Sequence, residues 1–352
     1  MWSLQKKNNK KNKEMECMKE SKMVKQDLFV SIIIVTYNGA DCIIDCLRSL
    51  KSQNYNQKKI EIIAVDNASV DKTPEIIENT FRDVHIIRNN FNLGFGRANN
   101  IGIKKSKGNY IILLNQDSLL DKNWLSVLVK TMEQHPDAGC CGAEEYAYIE
   151  YNTLKKPEKK IKECLWMGCG SVIFRKKVLD EAGIFDPFYF MYVEDMDIVW
   201  RIKENGWKIL QNYEALWFHK GKERPIEPFG KRMYWSWKNR LYLIIKFGSL
   251  AQIVKSLHYY LQLLLKNDPK MNDESKVNKV NTIQEEKLKQ NKSFQIKEKI
   301  IFITKLLAVT PSVLIYGIFA GYVLRQKQKL NQQEVDGLIE YTDKIFYHRY
   351  SE

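Results

Sequence analysis

Acidic residues are scarce at both ends of this 352-residue chain, and that shortage divides it. Residues 1–26 carry eight Lys against three acids, a net +5, and residues 220–352 carry 24 basic against 13 acidic residues, a net +11. Residues 27–219 are close to balanced at −2, so the formal charge of +14 lies entirely outside the middle. A nucleic-acid binder would carry its cations where its recognisable site is, and this middle does not. Cysteine is sparse and badly arranged for cross-linking: seven in all, an odd number, Cys140 beside Cys141, and no CxxC pair. A disulfide framework and a structural zinc site are both excluded on that ground, and a reducing cytosol is expected. Only 17 Gly and eight Pro exclude a collagen-like chain, and 44% hydrophobic residues exclude a wholly disordered one. The first 26 residues have no apolar run of signal-peptide length and predict a disordered basic arm. No internal repeat is evident.

From Phe29 onward apolar runs alternate with amphipathic stretches. The β-branched run from Phe29 to Val35 predicts a buried strand, and Ile43, Ile44, Leu47 and Leu50 share one helical face between residues 40 and 53. Residues 60–65 repeat the strand signal, and Thr73-Pro74 opens a helix to about Phe81. Residues 84–88 and 110–114 predict two more strands around a helix at 96–105. Such alternation predicts a mainly parallel sheet with helices on both faces. Further on, a strand entered through glycines is expected over 168–174. An aromatic, acidic loop follows from Phe185 and leads into a helix to about Asn205.

Ligands of such sheets sit beyond the carboxyl ends of the strands. Strand one ends in Thr36-Tyr37-Asn38-Gly39, strand two in Asp66-Asn67-Ala68-Ser69, and the Tyr110 strand in Asn115-Gln116-Asp117; Asn92-Leu93-Gly94-Phe95-Gly96 follows the third. Asp117, ending a buried strand, suits a hard divalent cation shared with a diphosphate; the plainer reading is a helix cap or strand end. The Asp66 loop offers acceptors for the base and ribose of a nucleotide, or an Asx turn. Glycines 94 and 96, with Asn92 and Asn99, could bring backbone N–H groups to phosphate. Glu194, Asp195 and Asp197 crowd negative charge, which raises the pKa of one toward a general base; an acidic helix N-terminus gives the same composition. His219 stands alone after an apolar run, and an isolated His is more often structural than a ligand.

Taken in order, Ser31-Ile-Ile-Ile-Val-Thr-Tyr-Asn38, Val65-Asp-Asn-Ala-Ser-Val-Asp71, Asn92-Leu-Gly-Phe-Gly96, Leu113-Leu-Asn-Gln-Asp117, Gly183-Ile-Phe-Asp186 and Tyr192-Val-Glu-Asp-Met-Asp-Ile198 resemble the family 2 inverting glycosyltransferases of GT-A fold. Within that family they are most similar to the rhamnosyltransferase-like branch. The resemblance spans about residues 29–220 and implies an α/β, Rossmann-like sheet. It implies that Thr36, Tyr37, Asn38, Asp66 and Asn67 hold base and ribose, with Gly94, Asn99, Asn115 and Gln116 also on the donor side. Asp117 would hold Mg²⁺ or Mn²⁺ with His219 as a further ligand, and Asp195 would be the general base. Gly170 and Glu194 would lie on the acceptor side. The triplet departs from the family's DxD form, since its first carboxylate is the amide of Asn115. The donor implied is a nucleoside-diphosphate sugar of TDP or UDP type, rhamnose being the branch's suggestion, and the acceptor a glycan or lipid-linked hydroxyl in cell-surface polysaccharide synthesis.

The expected division is a basic arm at 1–26, a catalytic domain at 27–230 and a helical, basic and aromatic region at 231–352. Trp235, Trp237, Tyr234 and Tyr242 among Lys and Arg suit an anionic membrane surface at the cytoplasmic face, or helices packed into a homo-oligomer. Residues 306–324 carry no charge but are interrupted by Pro311, Gly317 and Gly321, so a membrane-surface or core helix is expected over a single span. Two other readings stand beside the first. A sugar nucleotidyltransferase would need a cation in the loop after strand one, which Thr36-Tyr37-Asn38-Gly39-Ala40-Asp41 lacks. A silent nucleotide-binding scaffold would have little use for both Asp117 and Asp195.

Overall fold

The computed structural model describes residues 28–151, 158–223 and 231–248. The expected basic arm at 1–26 and the uncharged stretch at 306–324 lie outside the described residues. The described residues fall into two compact units, one of residues 28–190 with 194–223 and one of residues 191–193 with 231–248.

The first unit is built on one nine-stranded sheet. Its opening half follows the alternation read from the sequence: β1 (Val30–Thr36), α1 (Ile43–Lys51), β2 (Ile60–Asp66), α2 (Thr73–Thr80), β3 (His85–Arg88), α3 (Phe95–Lys105) and β4 (Tyr110–Asn115). Strands β3, β2, β1 and β4 lie side by side in parallel, with Thr36 in register with Asp66 and Val35 with Asn115. That register brings the polar ends of three strands to one edge of the sheet. The second half adds β5 (Ser118–Leu120), α4 (Trp124–Gln134), β6 (Ala138–Ala147), β7 (Ile161–Glu163), β8 (Ser171–Arg175), α5 (Lys176–Ala182), α6 (Glu194–Glu204) and β9 (Lys208–His219). Here the sheet is mixed: β8 runs antiparallel to β4 and β6, β9 runs parallel to β6, and β5 and β7 each run antiparallel to β9.

Helices cover both faces. Ile43, Leu47 and Leu50 of α1, Ile77 of α2 and Trp124, Leu125 and Leu128 of α4 pack with Ile32 and Ile34 on one face. Ala98 and Ile103 of α3, Val178 and Leu179 of α5 and Ile198, Val199 and Ile202 of α6 pack with Ile33 and Val65 on the other. Burying each such side chain contributes about 1.5–3 kcal/mol, so β1, buried on both faces, anchors the unit. Ala138-Gly-Cys-Cys-Gly-Ala143 carries no strand signal of its own, because its residues are small rather than β-branched. The packing explains the choice: a Cβ on Gly139 would lie 2.7 Å from Ile202 Cγ2 and 2.8 Å from Trp207 Cβ. Edge strand β3 is only four residues long and exposes His85 and Arg88 at its two ends.

In the second unit α7 (Lys231–Phe247) is described, together with residues 191–193. Asn239 Nδ2 donates to the carbonyls of Met191 and Tyr192, both at 2.8 Å. Lys238, Arg240 and Lys246 are buried with Trp237 and Tyr242. Lys246 Nζ lies 5.6 Å from the Tyr242 ring centre, and Lys238 Nζ 4.9 Å from that of Trp235, in range for cation–π attraction. Among the described residues no helix is long and apolar enough to cross a membrane.

Candidate functional site

The site is built where β1, β2 and β4 end. Thr36 Oγ1 donates to Asp66 Oδ1 at 3.0 Å, and Asp66 also accepts Ser69 Oγ at 2.6 Å and Ser69 N at 3.1 Å. Asp66 thus does close the turn that the sequence offered as its plainer role. Ala68 completes that turn at φ +64°. The neighbouring loop is tied to it: Asn38 N donates to Ser69 Oγ at 3.0 Å, Val70 N to Asn38 Oδ1 at 2.9 Å and Gly39 N to Thr73 Oγ1 at 2.8 Å. Asn38 itself sits at φ +49°. The side chains of Tyr37 and Val70 remain exposed on the lip of these loops.

Asn67 is a hub. Its amide nitrogen donates to Asn92 Oδ1 at 2.8 Å and to the Gly94 carbonyl at 3.2 Å, while its oxygen accepts Asn89 Nδ2 at 3.1 Å and Leu93 N at 2.9 Å. Those four bonds fill the side-chain amide's capacity, so Asn67 shapes the 89–94 loop. Gly94, at φ +83°, has a steric reason to be glycine: a Cβ there would run into the Phe190 carbonyl, which also accepts Phe95 N at 2.8 Å. Asn99 is buried and donates to the Phe95 carbonyl one turn back in α3. Gln116 also serves the loops, its Oε1 accepting Tyr37 N and its Nε2 donating to the Tyr37 carbonyl, both at 3.0 Å.

Asp117 is neither a helix cap nor a bare strand end. Its Oδ1 lies 3.1 Å from His219 Nε2, which is also 3.1 Å from Asn115 Nδ2. The other ring nitrogen, His219 Nδ1, is 2.8 Å from Glu145 Oε1, and the ring of Trp217 stacks on the imidazole at 4.6 Å. Burial alone would lower the pKa of His219, but its hydrogen bonds to Asp117 and Glu145 outweigh that and push it up to about 9. Lys220 N donates to the Asp117 carbonyl, and Lys220 Nζ pairs with Asp41 at 3.2 Å. Gly221 leaves room at this point: a Cβ on it would lie 3.0 Å from both Asp117 Oδ2 and His219 Nε2.

The three acids at the start of α6 have three different fates. Asp197 is fully buried and pairs with Arg201 Nε at 2.7 Å, with Tyr189 OH at 3.3 Å; Arg201 in turn donates to the carbonyls of Ala182, Gly183 and Ile184. Glu194 is buried, and desolvation together with the adjacent Asp195 charge holds its carboxyl well above the ordinary range. Asp195 is half-buried, and its Oδ1 accepts Met196 N at 2.8 Å.

The Gly168-Cys169-Gly170 stretch joins the two acidic sites. Asn115 N donates to the Gly170 carbonyl at 2.8 Å, and a Cβ on Gly170 would lie 3.0 Å from Asn115 Nδ2 and 2.7 Å from Trp217. Two residues earlier, a Cβ on Gly168 would lie 3.8 Å from Asp195 Oδ2. Sequence reasoning had singled out Asn115, Asp117, His219, Gly170 and Asp195 separately, and the fold gathers them around this strand entry. It had missed Glu145 and Gly221. The only local signal for Glu145 was a pair of glutamates, Glu144-Glu145, at the end of a stretch not read as a strand.

Among the described residues no three His, Cys, Asp or Glu side chains close a metal centre by themselves. The residues present nevertheless suit a divalent cation. One carboxylate and one imidazole meet beside the space that Gly221 keeps clear, and hard cations bound to nucleotides commonly take few protein ligands plus phosphate oxygens.

Residues 31–198 match the family described as Glycosyl transferase family 2. Glycosyltransferase AglE of Haloferax volcanii is 27% identical over 221 residues, covering 58% of this chain and 69% of its own length. A poly-beta-1,6-N-acetyl-D-glucosamine synthase of Staphylococcus epidermidis is 24% identical over 250 residues, covering 66% of this chain and 60% of its own. The crystal structure of GalNAc-T7 with UDP, GalNAc and Mn²⁺ superposes with a TM-score of 0.52 at 18% identity, over 81% of this chain and 57% of that one. The fold is thus the GT-A-like mixed α/β arrangement, and residues 31–198 are similar to the glycosyl transferase family 2 model.

Proposed function

We propose that this chain is an inverting, metal-dependent glycosyltransferase that moves a sugar from a nucleoside diphosphate to a hydroxyl of a glycan or lipid-linked acceptor in cell-surface polysaccharide synthesis. The observation that carries the reading is the gathering of Asp117, His219 and Asp195 around the glycine-lined entry to β8. The tied loops at Thr36–Asn38 and Asp66–Ser69 would receive base and ribose, with Tyr37 at the open lip. Asp117 and His219 would hold Mg²⁺ or Mn²⁺, which when bound neutralises charge on the departing diphosphate.

Asp195 would take the proton from the acceptor hydroxyl as its oxygen attacks the anomeric carbon, and one such displacement inverts configuration. Of the three acids in this turn it is the one suited to the task, because Asp197 is paired with Arg201 and Glu194 is buried, with burial disfavouring its charged form, while Asp195 is half-buried. Rhamnose on a thymidine or uridine diphosphate follows the branch resemblance. An acceptor at an anionic membrane face suits the +5 and +11 flanks.

Turnover of candidate donors by an Asp195→Asn protein is the test. Transfer should fall about 10³-fold while nucleotide affinity is kept. Transfer at the wild-type rate would remove Asp195 from its role.

A further inference from the structure

His219 can serve a cation only through a lone pair on Nε2, and an imidazole carries that lone pair there only if its proton sits on Nδ1. Glu145 fixes this choice. Its Oε1 lies 2.8 Å from Nδ1, on the side of the ring opposite Asp117. The sheet sets up the contact, because β6 and β9 run in parallel register with Glu145 beside Trp217 and Ala147 beside His219. Trp217, stacked on the imidazole, restrains the plane of the ring, and Glu145 decides which edge faces Asp117. Nε2 is thereby aimed at the space that the missing Cβ of Gly221 leaves clear.

We propose that Glu145 is a positioning residue of the divalent-cation site, holding His219 in the tautomer and orientation that point Nε2 at the ion beside Asp117. The inference rests on the reading that Asp117 and His219 hold that ion. Carboxylates hydrogen-bonded behind a metal-bound imidazole raise its basicity and spare it the freedom to flip, and their loss typically weakens metal affinity 10–100-fold. Glu144 next door supplies the control, since it has the same charge but its Oε2 accepts Gln211 Nε2 at 3.1 Å instead of touching His219.

The test is titration of the full chain with Mn²⁺ alone, reading free Mn²⁺ by its paramagnetic resonance signal, beside nitrogen NMR of the His219 ring in the metal-free chain above pH 9, where the ring is neutral and its tautomer can be read. Glu145→Ala should weaken Mn²⁺ binding 10–100-fold and mix the ring tautomers. Glu145→Gln, which keeps an acceptor oxygen, should show a smaller loss, and it carries the test if the alanine protein melts early. Glu144→Gln should bind Mn²⁺ as the wild type does. Wild-type affinity in both Glu145 variants, with binding lost in Asp117→Ala, would overturn the role of Glu145 alone. Equal losses in the Glu144 and Glu145 variants would also overturn it, showing that only net charge matters. Undiminished binding in both Asp117→Ala and His219→Ala would overturn the cation site itself.

Discussion

The two halves of the nine-stranded sheet treat polar groups in opposite ways. At the ends of β1 and β2 the polar side chains satisfy one another: Thr36, Asp66 and Ser69 form a closed set, and Asn67 spends its whole amide on the 89–94 loop. At the ends of β5, β6 and β9 and the start of α6, ionisable groups crowd instead, with Asp117, His219 and Glu145 in one chain and Glu194 beside Asp195. The parallel half therefore presents a fixed shape with little change in charge. The mixed half presents charge whose state can respond to a proton or a cation. A donor needs the first to be recognised, and the chemical step needs the second.

If that contrast is right, substitutions in the parallel half should reduce stability, while those in the mixed half should alter binding or chemistry at nearly constant stability. The largest effect is expected from Gly94→Ala, which forces a side chain into a glycine-only conformation against the Phe190 carbonyl. It should lower the unfolding free energy by about 3 kcal/mol in a urea titration. Next, Asp117→Ala should abolish the strengthening of nucleotide binding by Mn²⁺ with a melting temperature close to wild type, measured by calorimetry with and without the metal. A large drop in melting temperature there would break the contrast.

Asn67→Ala leaves Asn89, Asn92 and Leu93 without their common partner and should cost about 1–2 kcal/mol. Weaker nucleotide binding at unchanged stability would show that Asn67 meets the ligand after all. The smallest effect concerns Glu194. Its folded pKa lies above the ordinary 4.5, so the stability it contributes is present below about pH 4.5 and is lost as pH rises toward the folded value. Glu194→Gln stays neutral throughout. Its melting temperature should match the wild type at pH 4 and exceed it by about 2–4 °C at pH 8.

The same contrast explains what could be read in advance. The parallel half announces itself because each strand is a short β-branched run and each functional loop directly follows one, as with Val35-Thr36 and Val65-Asp66. Helix α2 was legible down to its Thr73-Pro74 start. In the mixed half β8 and α6 were expected and the other strands were not, because their residues are chosen for partners far away in sequence. Gly139 is small for Ile202 and Trp207, Gly170 for Trp217, and Glu145 meets a histidine 74 positions later. Local pattern also could not assign the acids of α6. Asp197 and Asp195 stand two residues apart in the same acidic turn, and the buried Arg201 that consumes one of them becomes visible only in three dimensions.

The short strand at the sheet's outer edge bears on self-association. β3 offers a neighbouring molecule only four residues of unpaired backbone, and it carries His85 and Arg88 at either end of that stretch. A second copy extending the sheet would gain few inter-strand bonds and would have to lay its backbone against those basic ends, the device by which natural sheets resist edge-to-edge growth. Copies of this chain that assemble are therefore expected to meet through surfaces other than this edge.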